Sequence, residues 1–111
     1  MNGKEFRLVT NTSVTIRIDT VPVITQTDFE YVRGEFNTET NERLLVIKLS
    51  EAGKTKFADL TRENLGKPIA IILKNELVSM PVVETEIPNG IVIIPGLDRD
   101  IIISLVGYFN P

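Results

Sequence analysis

The 111-residue sequence contains no histidine, no cysteine and no tryptophan. Without histidine it lacks the side chain that most often transfers protons near neutral pH, and without cysteine it lacks thiolate nucleophiles and thiolate metal ligands. Any catalysis would have to use carboxylate, serine, threonine or lysine side chains. The absence of cysteine does not indicate whether the protein works in an oxidising or a reducing compartment, because an oxidising space permits disulfides without requiring them.

Long apolar runs and an excess of basic residues are also missing. No stretch approaches the roughly 20 apolar residues that a helix needs to cross a bilayer, and the first residues lack the apolar core of a signal peptide. Twelve basic against 15 acidic residues give a formal charge of −3, whereas a nucleic-acid surface needs a basic excess. The composition therefore predicts no membrane span and no nucleic-acid partner. A hydrophobic content of 42% suits one domain over residues 1–111.

Alternating apolar and polar residues predict strands in the first half of the chain. Residues 4–9 and 14–18 show this pattern on either side of a turn-like segment. Residues 29–36 and 43–49 flank a polar turn, which predicts an antiparallel hairpin with Gly34 at a β-bulge.

A capped helix is predicted over residues 50–65. The Ser50 hydroxyl can accept a hydrogen bond from the first helical turn, and Gly66 followed by Pro68 forces the helix to end. Helical spacing places three apolar residues on its buried face, namely Phe57, Leu60 and Leu65.

The second half of the chain predicts short strands and a closing element. Residues 69–73 are apolar on both faces, which is typical of a central strand, and we expect this strand to be the most buried. Strands over 76–83 and 91–94 follow, the first after a turn at Lys74 and Asn75. Residues 98–109 fit a helix or a strand, and the helix is favoured. The predicted fold class is therefore α+β, a mostly antiparallel sheet with the 50–65 helix on one face and a short C-terminal helix.

The stretch 49–96 resembles the head of the first extracytoplasmic loop of the protein translocase subunit SecD. The helix carries the family's Gly-Phe-Thr pattern, the following segment carries its Gly-Lys-Pro motif and apolar strand, and the next strands carry its Ser-x-Pro-Val-Val motif and closing glycines. One departure is the Lys74-Asn75 turn, where the family has Asp-Gly. The matching residues, with spacing intact, are Ala52, Gly53, Phe57, Thr61, Gly66, Lys67, Pro68, Ala70, Ile71, Leu73, Ser79, Pro81, Val82, Val83, Ile87, Gly90, Ile94 and Gly96.

The resemblance implies a SecD head-like fold and a place in protein translocation. SecD works with SecF to draw polypeptides across a membrane. We therefore expect a non-catalytic binding or accessory domain whose partner is unfolded or exported polypeptide, or another envelope protein. The resemblance favours the periplasm or cell envelope. Two alternatives stay open for Met1: it is the true start, or it follows a signal or lipid anchor that has been removed.

One strand edge is the candidate polypeptide-binding site. Pro81 limits pairing on one side of its strand, so an extended polypeptide could pair with the exposed edge through backbone hydrogen bonds. The residues predicted to form this edge are Leu77, Ser79, Met80, Pro81 and Val83. The alternative is an edge strand that proline protects against aggregation.

No catalytic residue, cofactor or metal site is predicted. Asp59 and Glu63 lie one helical turn apart, but exposed carboxylates on a helix usually serve solvation. A structural or self-associating domain without polypeptide binding is the alternative function. Exposed aromatic residues would favour it, although core packing is the expected fate of Phe29, Tyr31, Phe36, Tyr108 and Phe109.

Overall fold

A computed structural model describes residues 4–18 and 22–110, so the start at Met1 lies outside the described residues. Within these ranges the chain forms two α-helices and seven strands. The helices are α1 (Glu51–Glu63) and α2 (Arg99–Phe109). The strands are β1 (Lys4–Leu8), β2 (Asn11–Ile18), β3 (Phe29–Asn37), β4 (Glu42–Leu49), β5 (Ile71–Leu73), β6 (Glu76–Ser79) and β7 (Ile91–Pro95). The α+β class and the C-terminal helix are confirmed.

The strands form two sheets rather than the single sheet predicted. One has the order β2-β1-β6-β5 and the other the order β3-β4-β7. All neighbours are antiparallel except β1 and β6, which run parallel and meet at Leu8 and Leu77. Local alternation predicted the strands but carries no information about which sheet each one joins.

The most buried strand is β4, and the prediction for residues 69–73 is wrong. β4 lies between β3 and β7, and Leu45, Val46, Ile47 and Leu49 are all buried. In contrast, β5 lies at the edge of its sheet, where Ile71 and Ile72 are only half-buried. An apolar run is typical of a central strand, but β5 has a strand neighbour on one side only, and two of its three residues remain partly exposed.

Helix α1 begins as predicted. The Ser50 hydroxyl accepts a hydrogen bond from the Gly53 N–H at 3.2 Å, and Gly66 has the positive φ of 79° that follows many helix ends. Phe57 is buried in the core. Leu65 is exposed instead of buried, because the helix ends at Glu63 and the chain leaves helical geometry before Leu65.

Two polar residues tie α1 to the rest of the fold. Asp28 accepts hydrogen bonds from the Thr25 N–H at 3.0 Å and from Lys56 Nζ at 3.1 Å, and its carbonyl accepts the Ser50 N–H at 2.7 Å. Thr61 is fully buried, and its hydroxyl accepts the Ile87 N–H at 3.0 Å. The segment before β3 and the segment before β7 are thus both hydrogen-bonded to this helix.

Helix α2 packs across β3 with Ile102 and Leu105 buried. A Cβ atom on Gly34 would come within 2.9 Å of the Ile102 Cγ2 atom. The predicted bulge at Gly34 is wrong, since the register irregularity of β3 lies between Phe29 and Tyr31. Gly34 instead allows the close approach of α2.

Candidate functional site

The predicted binding edge lies at and beyond the end of β6, and its first residue is not at an edge. Leu77 is 0% exposed and pairs with β1 on one side and β5 on the other. Its carbonyl accepts a hydrogen bond from the Val9 N–H at 2.9 Å. The prediction treated residues 76–83 as one edge strand, but β6 is an inner strand as far as Leu77.

After β6 the chain pairs on one side with the segment that follows α1. The Pro81 carbonyl accepts the Ile69 N–H at 3.0 Å, and the Val83 N–H donates to the Lys67 carbonyl at 2.9 Å. Val83 is buried, Ser79 and Met80 are half-buried, and Pro81 is exposed. Of the five predicted residues, only Ser79, Met80 and Pro81 therefore reach the surface.

Val82 is the residue that the sequence prediction omitted. It forms an isolated antiparallel bridge with Pro68, and the hydrogen bonds of this bridge are made by the residues on either side of the pair. The N–H and C=O groups of Val82 therefore point to the opposite, unpaired side. Its side chain is 57% exposed. Strand alternation next to a buried Val83 would have indicated this exposure.

The surface consisting of Ser79, Met80, Pro81 and Val82 is named the 79–82 edge. Outside the pairing with β5 and with the segment after α1, the described part of the chain gives it no backbone hydrogen-bond partner. It offers free backbone groups beside apolar side chains. Such an edge can bind an extended chain of varied sequence, because most of the recognition is made by backbone atoms.

Asp59 on α1 and Asp28 beside this helix are each paired with a basic side chain. Asp59 forms an ion pair with Arg62 at 2.7 Å, and this contact raises the pKa of the Arg62 guanidinium. Asp28 has a lowered pKa, first because of the hydrogen bond from the Thr25 N–H and then because of Lys56. The Asp28 carboxylate is therefore stabilised in its charged form. Within residues 4–18 and 22–110, no group of three acidic side chains is placed to hold a metal ion.

A serine and a lysine do meet on the surface. Lys74 Nζ lies 3.3 Å from the Ser104 hydroxyl and 5.5 Å from the centre of the Tyr108 ring. Both Lys74 and Ser104 are exposed, so nothing excludes water from the pair. These contacts attach the β5–β6 turn to α2.

The aromatic residues divide between packing and exposure. Phe29 and Phe109 are half-buried and pack edge to face, with ring centres 5.4 Å apart. Tyr31 is also half-buried, whereas Phe36 and Tyr108 are exposed. Core packing, the predicted fate of all five, thus fails for Phe36 and Tyr108.

The chain matches, over residues 4–100, the family described as SecDF, P1 head subdomain. The chain belongs to this family. Its residues therefore form a head subdomain of a kind found in protein translocation subunits, and the resemblance seen in residues 49–96 extends over nearly the whole chain. In the described residues of this SecDF head, neither helix is long and apolar enough to span a bilayer.

Individual SecD proteins show the same relationship. The chain is 36% identical over 78 residues to the protein translocase subunit SecD of Thermobaculum terrenum, a match that covers 70% of this chain and 15% of that protein. It is 43% identical over 47 residues to SecD of Sebaldella termitidis, covering 42% of this chain and 12% of the relative. The chain thus spans only a small part of the length of these relatives.

Solved SecDF structures share the fold. One, described as a membrane component that enhances protein export, superposes with a TM-score of 0.74 and 25% identity, over 81% of this chain and 41% of the other. SecDF from Thermus thermophilus, described as translocon-associated, superposes with a TM-score of 0.62 and 27% identity, over 83% of this chain and 13% of the other.

Proposed function

We propose that this SecDF head domain is a non-catalytic extracytoplasmic binding module that contacts unfolded or exported polypeptide. The observation that carries the proposal is the family match over residues 4–100, because the SecD and SecDF relatives are protein translocase subunits. Another envelope protein is the alternative partner, and it too would be bound as a polypeptide. The family match also supports the proposed extracytoplasmic location.

The 79–82 edge is the surface proposed for this contact. Its free backbone groups at Val82 tolerate any residue in the bound chain, and its exposed Pro81 and Val82 side chains supply apolar contact. The adjacent buried residues, Leu77 and Val83, hold the edge in place instead of contacting the ligand. The proposed binding residues are thus Ser79, Met80, Pro81 and Val82.

An amide NMR titration of the labelled chain with a permanently unfolded polypeptide tests this function. We expect saturable shifts at residues 79–83 and, in Val82→Asp, binding at least fivefold weaker because a charge replaces an exposed apolar contact. Ile93→Asp is the matched control, since Ile93 is 55% exposed and lies in the other sheet. Absence of shifts at millimolar polypeptide would overturn the proposal.

Self-association is the second candidate, and a specific surface favours it. β7 is an edge strand of the β3-β4-β7 sheet, and the exposed Ile93 side chain lies on it. Exposed apolar residues on a free edge favour pairing with another copy. Sedimentation velocity over a hundredfold range of protein concentration should then show a dimer that Ile93→Asp abolishes. A monomer at every concentration would exclude this function.

A further inference from the structure

A groove lies between β3 and the first turns of α2, and the proposed function at residues 79–82 does not involve it. It has a volume of about 260 Å³, and Glu35 and Ile102 are among its lining residues. Five of the lining residues provide its backbone groups, apolar side chains and positive charges, and this set is named the β3–α2 groove: Gly34, Phe36, Arg43, Arg99 and Ile103.

One wall of the groove is a free strand edge. β3 is the outer strand of its sheet, and the Val32 carbonyl accepts a hydrogen bond from the Asn110 side chain, so the backbone groups of Val32 point away from β4 although its side chain is buried. Backbone groups of alternate residues point to the same side of a strand, so those of Gly34 and Phe36 also face outward. Asn110 occupies the position at Val32. In the described residues nothing pairs with the outer side of Gly34 or Phe36.

Apolar side chains extend this edge into the groove. Phe36 is 50% exposed and Ile103 is 56% exposed, on β3 and α2 respectively. Gly34 lies between them and presents no side chain, so its backbone stays accessible beside Ile102. An extended chain could therefore place one apolar side chain between Phe36 and Ile103.

Two arginines also line the groove, Arg43 on the neighbouring strand β4 and Arg99 on α2, and neither forms an ion pair with another described residue. The Arg43 guanidinium lies 5.7 Å from the Phe36 ring centre, and Arg99 is in the first turn of α2, where the positive helix end adds to its charge. Asp98 and Asp100 flank Arg99 in sequence but form no ion pair with it. Glu35, the acidic residue of the groove lining, is paired with Arg33 at 2.5 Å. The groove thus offers two positive charges without a carboxylate partner.

We propose that the β3–α2 groove binds an extended polypeptide segment that carries a carboxylate. The segment pairs with the backbone of Gly34 and Phe36, and its carboxylate lies between Arg43 and Arg99. This surface is in the β3-β4-β7 sheet, whereas the 79–82 edge continues from the other sheet. Binding at one surface therefore reports nothing about the other, and the two proposals fail independently.

The test compares two six-residue peptides with the labelled 111-residue chain. One alternates valine with glutamate and the other alternates valine with glutamine, so they differ in charge but not in shape. We expect the glutamate peptide to shift the amides of Gly34 and Phe36 and to bind about tenfold more tightly, since two exposed ion pairs give a factor of this order. Raising the salt concentration should reduce this difference.

Protein variants and a modified peptide distinguish the contribution of the arginine charges to binding from that of the free strand edge. Arg43→Gln together with Arg99→Gln should remove the preference for the glutamate peptide, while Arg62→Gln, which changes an arginine already paired with Asp59, should preserve it. A glutamate peptide with alternate backbone nitrogens methylated should lose binding. Equal affinity for the two peptides, or no shift at Gly34 and Phe36, would overturn the proposal. Shifts there that depend on protein concentration without peptide would assign the groove to a second copy and also overturn it.

Discussion

The two helices are attached to the same sheet-rich fold by different means. Helix α1 buries Phe57 in the core and is also attached through polar groups, since Asp28 is hydrogen-bonded to its first turns and buried Thr61 accepts the Ile87 N–H. Helix α2 is attached chiefly through the apolar residues Ile102 and Leu105, and an open groove remains beside its first turns. Three residues of the family pattern, Gly53, Phe57 and Thr61, lie on α1. Neither of the two proposed ligand surfaces lies on this helix.

The largest expected difference concerns the buried hydroxyl of α1. Thr61→Val keeps the shape of the side chain but leaves the Ile87 N–H without its acceptor, so we expect the free energy of unfolding to fall by about 1–3 kcal/mol. Urea denaturation measures this change. Thr55→Val is the control, because Thr55 is exposed and its hydroxyl bonds only to the Glu51 carbonyl of its own helix. Equal losses in the two variants would show that the Thr61 contact does not fix α1.

Two glycine substitutions compare the helices directly. A Cβ atom on Gly53 would lie 2.8 Å from the Asp28 carbonyl oxygen, whereas one on Gly34 would meet the end of the Ile102 side chain at 2.9 Å. Overpacking costs about 1–3 kcal/mol and alanine returns about 1 kcal/mol in a helix, so we expect Gly53→Ala to lose about 1 kcal/mol.

Gly34→Ala should lose less than about 0.5 kcal/mol, because α2 can shift over its groove and a strand favours alanine over glycine. Thermal and urea unfolding of both variants check the order of the two losses. A larger loss for Gly34→Ala would mean that α2 is held as rigidly as α1, and the contrast between the helices would then be wrong.

The parts of the fold that were predicted from the sequence depend on neighbouring residues. Ser50 caps α1 and Gly66 ends it because each satisfies a backbone requirement within a few residues. The positive φ of Asn75 likewise suits its tight turn. These features need no knowledge of the rest of the chain, and for this reason the pattern alone revealed them.

Features that depend on distant pairing were not predicted. Leu77 is buried because β1 runs parallel to β6, and Gly34 is needed because α2 crosses β3. Asp28 lies outside every predicted element, and no local pattern indicates its role because its partner Lys56 is 28 residues away. The predicted edge therefore includes two residues that are buried, Leu77 and Val83, and the β3–α2 groove was not foreseen.

The smallest expected effect is a pH dependence of the free energy of unfolding that arises from Asp28, which is hydrogen-bonded to α1. The hydrogen bond from the Thr25 N–H, followed by Lys56, lowers the pKa of Asp28 in the folded state. The unfolded chain, with an ordinary aspartate pKa of about 3.9, then binds more protons at low pH, so acid favours unfolding. The contribution of Asp28 is fully present above about pH 5 and is lost as the pH falls through 3.9 and below.

Unfolding free energies between pH 7 and pH 2.5 measure this loss in the wild type and in two variants. Asp28→Asn should flatten the acid limb of the curve, because the amide no longer titrates. Lys56→Met should flatten it less, since the Thr25 N–H is the larger cause of the lowered pKa and remains in place. If Lys56→Met flattened the curve as much as Asp28→Asn, the surface ion pair rather than the backbone hydrogen bond would hold the Asp28 carboxylate. The polar attachment of α1 would then be sensitive to salt, because Lys56 is 46% exposed and exposed ion pairs are screened.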